Sequence, residues 1–172
     1  MEHILIPHKR AAMLDSKTLE KLEDRLGCSI NVNDNEVTIN GKPYDEYNAK
    51  NVVQAFGRGF ALDKAFRLLS EDYFFQQVNL KEMFRNPDQL ARVKARLIGT
   101  EGRAKEYIES VSGVDMMVYG NTVSTIGRIE EVRIADAGIK ILIGGGKHKT
   151  AYAVMEKERR KIKEEEQHGK RS

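Results

Sequence analysis

The segment Ile98–Arg103 reads Ile-Gly-Thr-Glu-Gly-Arg, with two glycines three positions apart. Glycine has no Cβ, so the chain turns sharply at such positions and a sugar-phosphate backbone can approach it closely. A helical pattern begins directly after Gly102, and the N–H groups at a helix start attract phosphate. In a chain with 14 glycines this spacing is a weak indication by itself. Phosphate binding is therefore a hypothesis that the neighbouring sequence must support.

Basic residues are concentrated around this glycine loop, which we define as residues 98–103. Between residues 92 and 105 the only acidic side chain is Glu101. The basic side chains there are Arg92, Lys94, Arg96, Arg103 and Lys105. Most charge runs form a solvated helix face, which is the alternative interpretation. Beside a glycine loop, we interpret this cluster as an electrostatic site for phosphate.

The charge is also unevenly distributed along the chain, although its net value is only +3. Residues 1–72 contain 10 Lys and Arg against 12 Asp and Glu, whereas residues 73–172 contain 19 against 14. The basic excess therefore lies in the part that carries the glycine loop.

An internal repeat with an offset of 86 residues indicates two copies of one fold unit. Residues 27–32 resemble residues 113–118, and residues 35–41 resemble residues 121–127. We assign residues 1–72 to the first domain and residues 73–172 to the second. No Pro/Gly-rich linker separates them, so we expect the two domains to pack together.

Each copy has the pattern of an α+β unit. In the first, we predict a strand over 3–6, a short helix from about 9, a helix over 16–26 that Gly27 ends, and a hairpin of strands 29–33 and 36–40. Helices over 47–56 and 62–69 follow. The second copy is predicted as strand 74–80, helices 89–97 and 103–111, hairpin 114–126, helix 129–142 and a charged last helix from about 147.

Composition and motifs argue against several classes of function. No apolar run reaches the length of about 18 residues that a membrane span needs. The single cysteine, Cys28, rules out an internal disulfide and indicates a reducing, cytoplasmic location, and its alternating surroundings predict a buried thiol. Residues 144–150 fail the P-loop pattern because Lys149 stands where the second glycine is required. The scattered histidines lack metal-site spacing and no catalytic constellation stands out, so we predict no metal, no cofactor and no enzyme activity.

The order β-α-α-β-β-α is that of a type I KH domain, and almost the whole chain resembles the archaeal two-KH-domain family of small-ribosomal-subunit maturation, the partner of Nob one family. The segments that carry the resemblance are 4–10, 55–69, 79–83, 93–109, 114–127 and 147–156. The resemblance implies two tandem type I KH domains, each with an extra C-terminal helix. It also implies binding of single-stranded RNA near the 3′ end of small-subunit rRNA or its precursor. The implied protein partners are the endonuclease that matures that end and the α subunit of translation initiation factor two.

In such a domain the glycine loop holds the RNA backbone. The residues expected to contact RNA here are Lys94, Arg96, Ile98, Gly99, Thr100, Glu101, Gly102, Arg103 and Lys105. Related domains often have a lysine where Thr100 and Glu101 stand. Glu101 opposes phosphate unless its side chain points away or caps the next helix. The candidates for the groove floor are Ile98, Val114, Met116 and Val118, although one alternating set of strand residues must face the core.

The first copy departs from the KH pattern, because residues 13–16 read Met-Leu-Asp-Ser where the glycines would stand. We expect this domain to have lost the clamp and to serve in packing or partner binding. Arg10 and Arg58 are possible secondary contacts to RNA or between the domains. Three hypotheses remain: an RNA-binding assembly factor, a protein adaptor in ribosome assembly or translation initiation with RNA binding secondary, and an enzyme with a glycine loop. We favour the first, and the second is compatible with it.

Overall fold

The computed structural model describes residues 1–171, which divide into two compact units with the boundary between Glu71 and Asp72. Each unit contains one antiparallel three-stranded sheet. Among the described residues, no helix is long and apolar enough to cross a membrane.

The first unit is built from three strands, four α-helices and a 3₁₀ turn. In chain order these are β1 (Glu2–Leu5), α1 (His8–Ala11), α2 (Ser16–Leu26), β2 (Ser29–Asn33), β3 (Glu36–Asn40), α3 (Pro43–Gly57), α4 (Leu62–Ala65) and the 3₁₀ turn Phe66–Leu69. The sheet order is β1-β3-β2, so β3 is the central strand.

The second unit repeats this order with one additional short helix after its first strand, and one long helix stands where the first unit has its last short helix and 3₁₀ turn. Its elements are β4 (Phe74–Asn79), α5 (Leu80–Met83), α6 (Pro87–Ile98), the 3₁₀ turn Thr100–Gly102, α7 (Arg103–Ser112), β5 (Asp115–Tyr119), β6 (Thr122–Gly127), α8 (Ile129–Ile143) and α9 (His148–Arg171). The sheet order is β4-β6-β5, which leaves β5 at an edge. The predicted α+β class and the two tandem KH units are confirmed.

Helices begin and end at the predicted residues where the sequence has a polar capping residue or a glycine. Asp15 accepts a hydrogen bond from the Thr18 N–H at 2.8 Å and starts α2, and Gly27 ends it in the left-handed conformation, at φ 68°. Two helices begin earlier than predicted, α3 at Pro43 instead of residue 47 and α6 at Pro87 instead of residue 89. Proline is favoured in the first helical turn, which lacks N–H partners in any case.

The repeat extends to individual hydrogen bonds. Arg10 donates from Nε to the Phe56 carbonyl at 2.8 Å and from Nη2 to the Phe60 carbonyl at 2.7 Å. In the second unit, Arg96 donates from the same two nitrogens to the carbonyls of Leu142 and Gly146, 86 residues further along the chain. Each arginine thus binds one carbonyl in the last turn of α3 or α8 and one just beyond the helix end.

The cores of the two units form where the apolar faces of their helices meet the sheets. The core of the second unit includes Leu97, Ile108, Leu142 and Met155, all fully buried. In the first unit, Cys28 is buried, and burial raises the pKa of its thiol, as expected for an unreactive side chain.

Candidate nucleic-acid interface

The glycine loop lies between two helices that are firmly packed on the core. Leu97 near the end of α6 and Ile108 in the middle of α7 are fully buried, so the positions of both helices are fixed. Gly99 ends α6 with φ 77° and ψ 169°, a conformation accessible to glycine only. Glu101 and Gly102 also have positive φ, at 56° and 76°, and α7 begins at Arg103.

The two glycines have different roles. A Cβ on Gly99 would lie 2.6 Å from the backbone nitrogen of Ala104, so a side chain there would collide with the start of α7. A Cβ on Gly102 would have no atom within 4 Å. Gly99 is therefore needed to close the loop onto α7, whereas Gly102 leaves an open approach to the helix start.

The N-terminus of α7 is not capped. Gly102 occupies the cap position, and no described side chain accepts a hydrogen bond from the first turn of α7. The N–H groups of a first helical turn have no partners within the helix and carry a partial positive charge. This helix start is therefore able to accept an anion, such as a phosphate.

The equivalent helix start in the first unit is already occupied by a carboxylate. Asp15 caps α2, and its hydrogen bonds from Thr18 lower the pKa of its carboxyl group. Leu14, in the segment that replaces the glycines, is buried. The first unit therefore offers neither the open approach nor the free helix start found in the second.

Glu101 does not cap α7, and its side chain points into solvent. Its carboxylate lies 3.4 Å from the Nη2 of Arg103, and both side chains are 76% exposed. An ion pair this exposed is weak and easily exchanged. Arg103 is thus free to turn towards a phosphate at the loop.

The other residues predicted to contact RNA differ in their exposure and in the partners that their side chains already have. Lys94 is half-buried and Ile98 is exposed, and they lie four residues apart on one face of α6. Lys105 is paired with Glu109 at 2.9 Å. Arg96 is half-buried, and its guanidinium group binds the carbonyls at the end of α8.

The edge strand β5 offers hydrogen-bonding groups beside α7. The Met116 N–H leaves the sheet and donates to Glu109 Oε2 at 3.2 Å. Because outward and inward groups alternate along an antiparallel edge, the N–H and C=O of Val118 also point away from β6. The side chains of Val114 and Met116 are buried in the core, while Val118 is half-buried. The backbone of the β5 edge is thus available to a ligand, whereas the side chains of Val114 and Met116 are not.

The start of α9 lies beside the last turn of α6, which the sequence did not indicate. His148 Nε2 is 2.9 Å from the Arg96 carbonyl oxygen, and the Arg96 guanidinium binds the Gly146 carbonyl. Lys147 and Lys149, both exposed, flank this contact. They add positive charge next to the loop, although their chain positions lie about 50 residues from it.

Comparison with known proteins gives the same domain type. Residues 74–160 match the family model of the second KH domain of PNO1, described as a eukaryotic-type, type I KH domain. A KH domain-containing protein of Methanocaldococcus jannaschii is 34% identical, over 95% of this chain and 76% of its own length. The pre-rRNA-processing protein PNO1 of Chaetomium thermophilum is 27% identical over 85% of this chain, which spans only 61% of that protein.

Solved structures of archaeal proteins also match over most of the chain. Dim2p of Pyrococcus horikoshii has a TM-score of 0.82 at 34% identity, over 91% of this chain and 98% of that one. A complex of a/eIF2alpha, aDim2p and rRNA from the same organism matches with a TM-score of 0.84 at 33% identity, over 93% of this chain and 94% of that one. The chain belongs to the PNO1-type family of KH-domain proteins.

Proposed function

We propose that this protein binds single-stranded RNA near the 3′ end of small-subunit rRNA or its precursor, and that it acts as an assembly factor in the processing of that RNA. The observation that carries the proposal is the uncapped start of α7 behind the open glycine loop. The names of the relatives support it, since they are pre-rRNA-processing proteins and an archaeal protein in complex with rRNA. Its role in this proposal is binding and scaffolding, without catalysis.

The site binds RNA in the manner of a KH domain. Phosphates of the RNA backbone lie at the loop, where Gly102 leaves space and the first N–H groups of α7 donate hydrogen bonds. About four unstacked nucleotides follow the groove between the helices and β5. Lys94 and Arg103 supply charge, Ile98 an apolar contact, and the Val118 backbone hydrogen bonds to base edges. Arg96 acts indirectly, because it holds the end of α8 and the start of α9 next to the loop.

Fluorescence anisotropy tests this proposal. A labelled single-stranded RNA copied from the 3′ end of an archaeal small-subunit rRNA is titrated beside a scrambled RNA of the same length. We expect tight binding of the first and clearly weaker binding of the second. Equal affinity for both RNAs would contradict the proposed preference for the 3′ end.

A second candidate function is that of a protein adaptor, and one feature of the first unit favours it. An open depression on α2 is lined by Lys17, Glu20, Lys21, Asp24, Arg25 and Phe66. The Arg25 guanidinium lies 5.1 Å from the centre of the Phe66 ring. In the second unit the residue 86 positions after Phe66 is Tyr152 of α9, which stacks on α7. The first unit has only a short 3₁₀ turn at that place, so its α2 face stays open.

We propose that this depression accepts an acidic segment with an apolar residue from a protein partner, such as the α subunit of translation initiation factor two or the endonuclease of rRNA maturation. Its lining has three cations against two carboxylates, a small positive excess that favours an acidic segment, and its phenyl ring favours an apolar side chain. Calorimetric titration of the purified initiation-factor subunit into the wild type and into the double variant Lys17→Glu, Lys21→Glu tests it. Weaker binding in the variant is expected, and equal binding would exclude this depression as the docking site.

A further inference from the structure

We propose that the exposed basic face of α9 is a second phosphate-binding surface, which holds the RNA that extends beyond the glycine loop. This inference rests on the proposed function, because it lengthens the same RNA site. The face is formed by Lys149, Lys157, Arg160 and Lys161, all exposed.

The position of α9 makes the surface continuous with the loop. Both α7 and α9 begin beside the last turn of α6. The glycine loop connects α6 to α7, and His148 at the start of α9 contacts the Arg96 carbonyl. Tyr107 of α7 stacks on Tyr152 of α9 with ring centres 3.8 Å apart. Arg103 lies one helical turn before Tyr107 and therefore on the side of α7 that faces α9.

Positive charge predominates on the exposed surface of α9 up to Lys163. The two acidic residues in its first 16 positions are both bound within the domain. Glu156 accepts a hydrogen bond from the Tyr107 hydroxyl at 3.3 Å, and Glu158 pairs with Arg133 at 3.1 Å. None of the four cations of the basic face makes an ion pair with another described residue. Glu158 lies beside Lys157, Arg160 and Lys161, but its carboxylate is already paired, so the unpaired surface charge of this part of α9 is positive, as expected of a site for phosphate.

The geometry of the helix arranges these cations in a row. At 100° per residue, positions 149, 157, 160 and 161 fall within an arc of about 120°. They span 12 residues, or about 18 Å along the axis. A KH groove holds only about four nucleotides, so a row of this length extends the RNA contact well past the groove.

The helix is held rigidly and the basic face has a definite end. Ala151, Met155 and Ile162 on the opposite face are buried. Gly138 of α8 allows the close contact with Met155, since a Cβ there would lie 2.2 Å from its Sδ. After Lys163 the chain continues with three consecutive glutamates, residues 164–166. Glu164 lines the same depression as Lys157, Arg160 and Lys161, so the basic surface ends there.

The test compares a short and a long RNA. Anisotropy is measured at several salt concentrations with 3′-end RNAs of about four and about twelve nucleotides. The proteins are the wild type, the triple variant Lys157→Gln, Arg160→Gln, Lys161→Gln, and a control with Lys9→Gln, Lys42→Gln, Lys50→Gln, which loses the same charge from the first unit. Circular dichroism shows whether the variants are folded.

We expect the α9 variant to bind the long RNA about tenfold more weakly and the short RNA unchanged, while the control binds both as the wild type does. The slope of log affinity against log salt for the long RNA should fall by about 2, or about 0.7 for each of three cations. Unchanged affinity for the long RNA overturns the inference and leaves the proposed function standing. An equal loss for both RNAs also overturns it, since the helix would then not be an additional surface. If neither RNA binds the wild type, the proposed function itself fails.

Discussion

Gly102→Asp is the substitution that most directly tests the glycine loop, because position 102 combines free space with the cap position of α7. A Cβ there meets no atom within 4 Å, so the side chain fits without displacing a neighbour. The backbone φ of 76° disfavours a side chain, but Asp and Asn tolerate this region better than other residues. We therefore expect a folded protein that is less stable by about 1 kcal/mol.

The effect on RNA binding follows from the position of the new carboxylate. It would stand at the cap position of α7, as Asp15 does on α2, and compete for the N–H groups that a phosphate would use. At a separation of about 5 Å, the repulsion between carboxylate and phosphate is about 0.8 kcal/mol in water and about 3 kcal/mol at a protein surface. These values correspond to binding weaker by about 4-fold to about 150-fold.

Gly102→Asn is the matched control, since it has the same size and backbone cost but no charge. Anisotropy with the 3′-end RNA should show a large loss for the Asp variant and a much smaller one for the Asn variant, and urea unfolding should show similar stability for the two. If the Asp variant binds as tightly as the wild type, the loop is not the RNA site. If the Asn variant loses as much affinity as the Asp variant, backbone conformation matters and the electrostatic reasoning is wrong.

Further predictions concern the supporting residues. Gly99→Ala should lower the free energy of unfolding by at least about 2 kcal/mol in urea titrations, because its Cβ collides with the Ala104 backbone and φ is positive. Asp15→Ala should lower the melting temperature by a few degrees at neutral pH through loss of the α2 cap. Because the pKa of Asp15 is lowered in the folded state, this difference should shrink as the pH falls through that pKa, as thermal melts of both proteins at acidic pH will show. Arg96→Ala should destabilise the protein, and in RNA titrations the salt slope should change less than for Lys94→Ala.

Much of the fold could be predicted because its information is local. The bounds of α2, β2 and β3 agree with the sequence-based prediction, since apolar spacing, a glycine stop and a polar turn at Asp34 define them within a few residues. Asp34 has φ 56°, as such a turn requires. The last predicted helix of the first copy was only partly right, because the chain changes from an α-helix to a 3₁₀ turn at Phe66.

The properties of the site depend on distant contacts and were harder to predict. The sequence presents Arg96 as one more cation near the loop, whereas its partners lie 46 and 50 residues away. The repeat did contain a clue, because Arg10 occupies the same position in a copy without a glycine loop. An arginine present in both copies is more readily explained by a shared structural role than by RNA binding. Lys147 and Lys149 gave no such signal, since only the fold brings them to α6.

The two copies share several side-chain contacts and differ at two places that bear on ligand binding. Both units have the arginine that binds the end of α3 or α8. Both also have a glutamate that accepts a hydrogen bond from an edge strand: Glu23 from the Ile30 N–H at 2.7 Å, and Glu109 from the Met116 N–H. They differ at the helix start, where one copy has a carboxylate and the other has open backbone, and on the adjacent helix face, which only the second copy covers with α9. A phosphate and the cap of Asp15 require the same N–H groups, so one helix start cannot serve both. The unit whose helix start is capped by a carboxylate therefore has no free anion site there, and its uncovered α2 face is the surface that we propose for a protein partner.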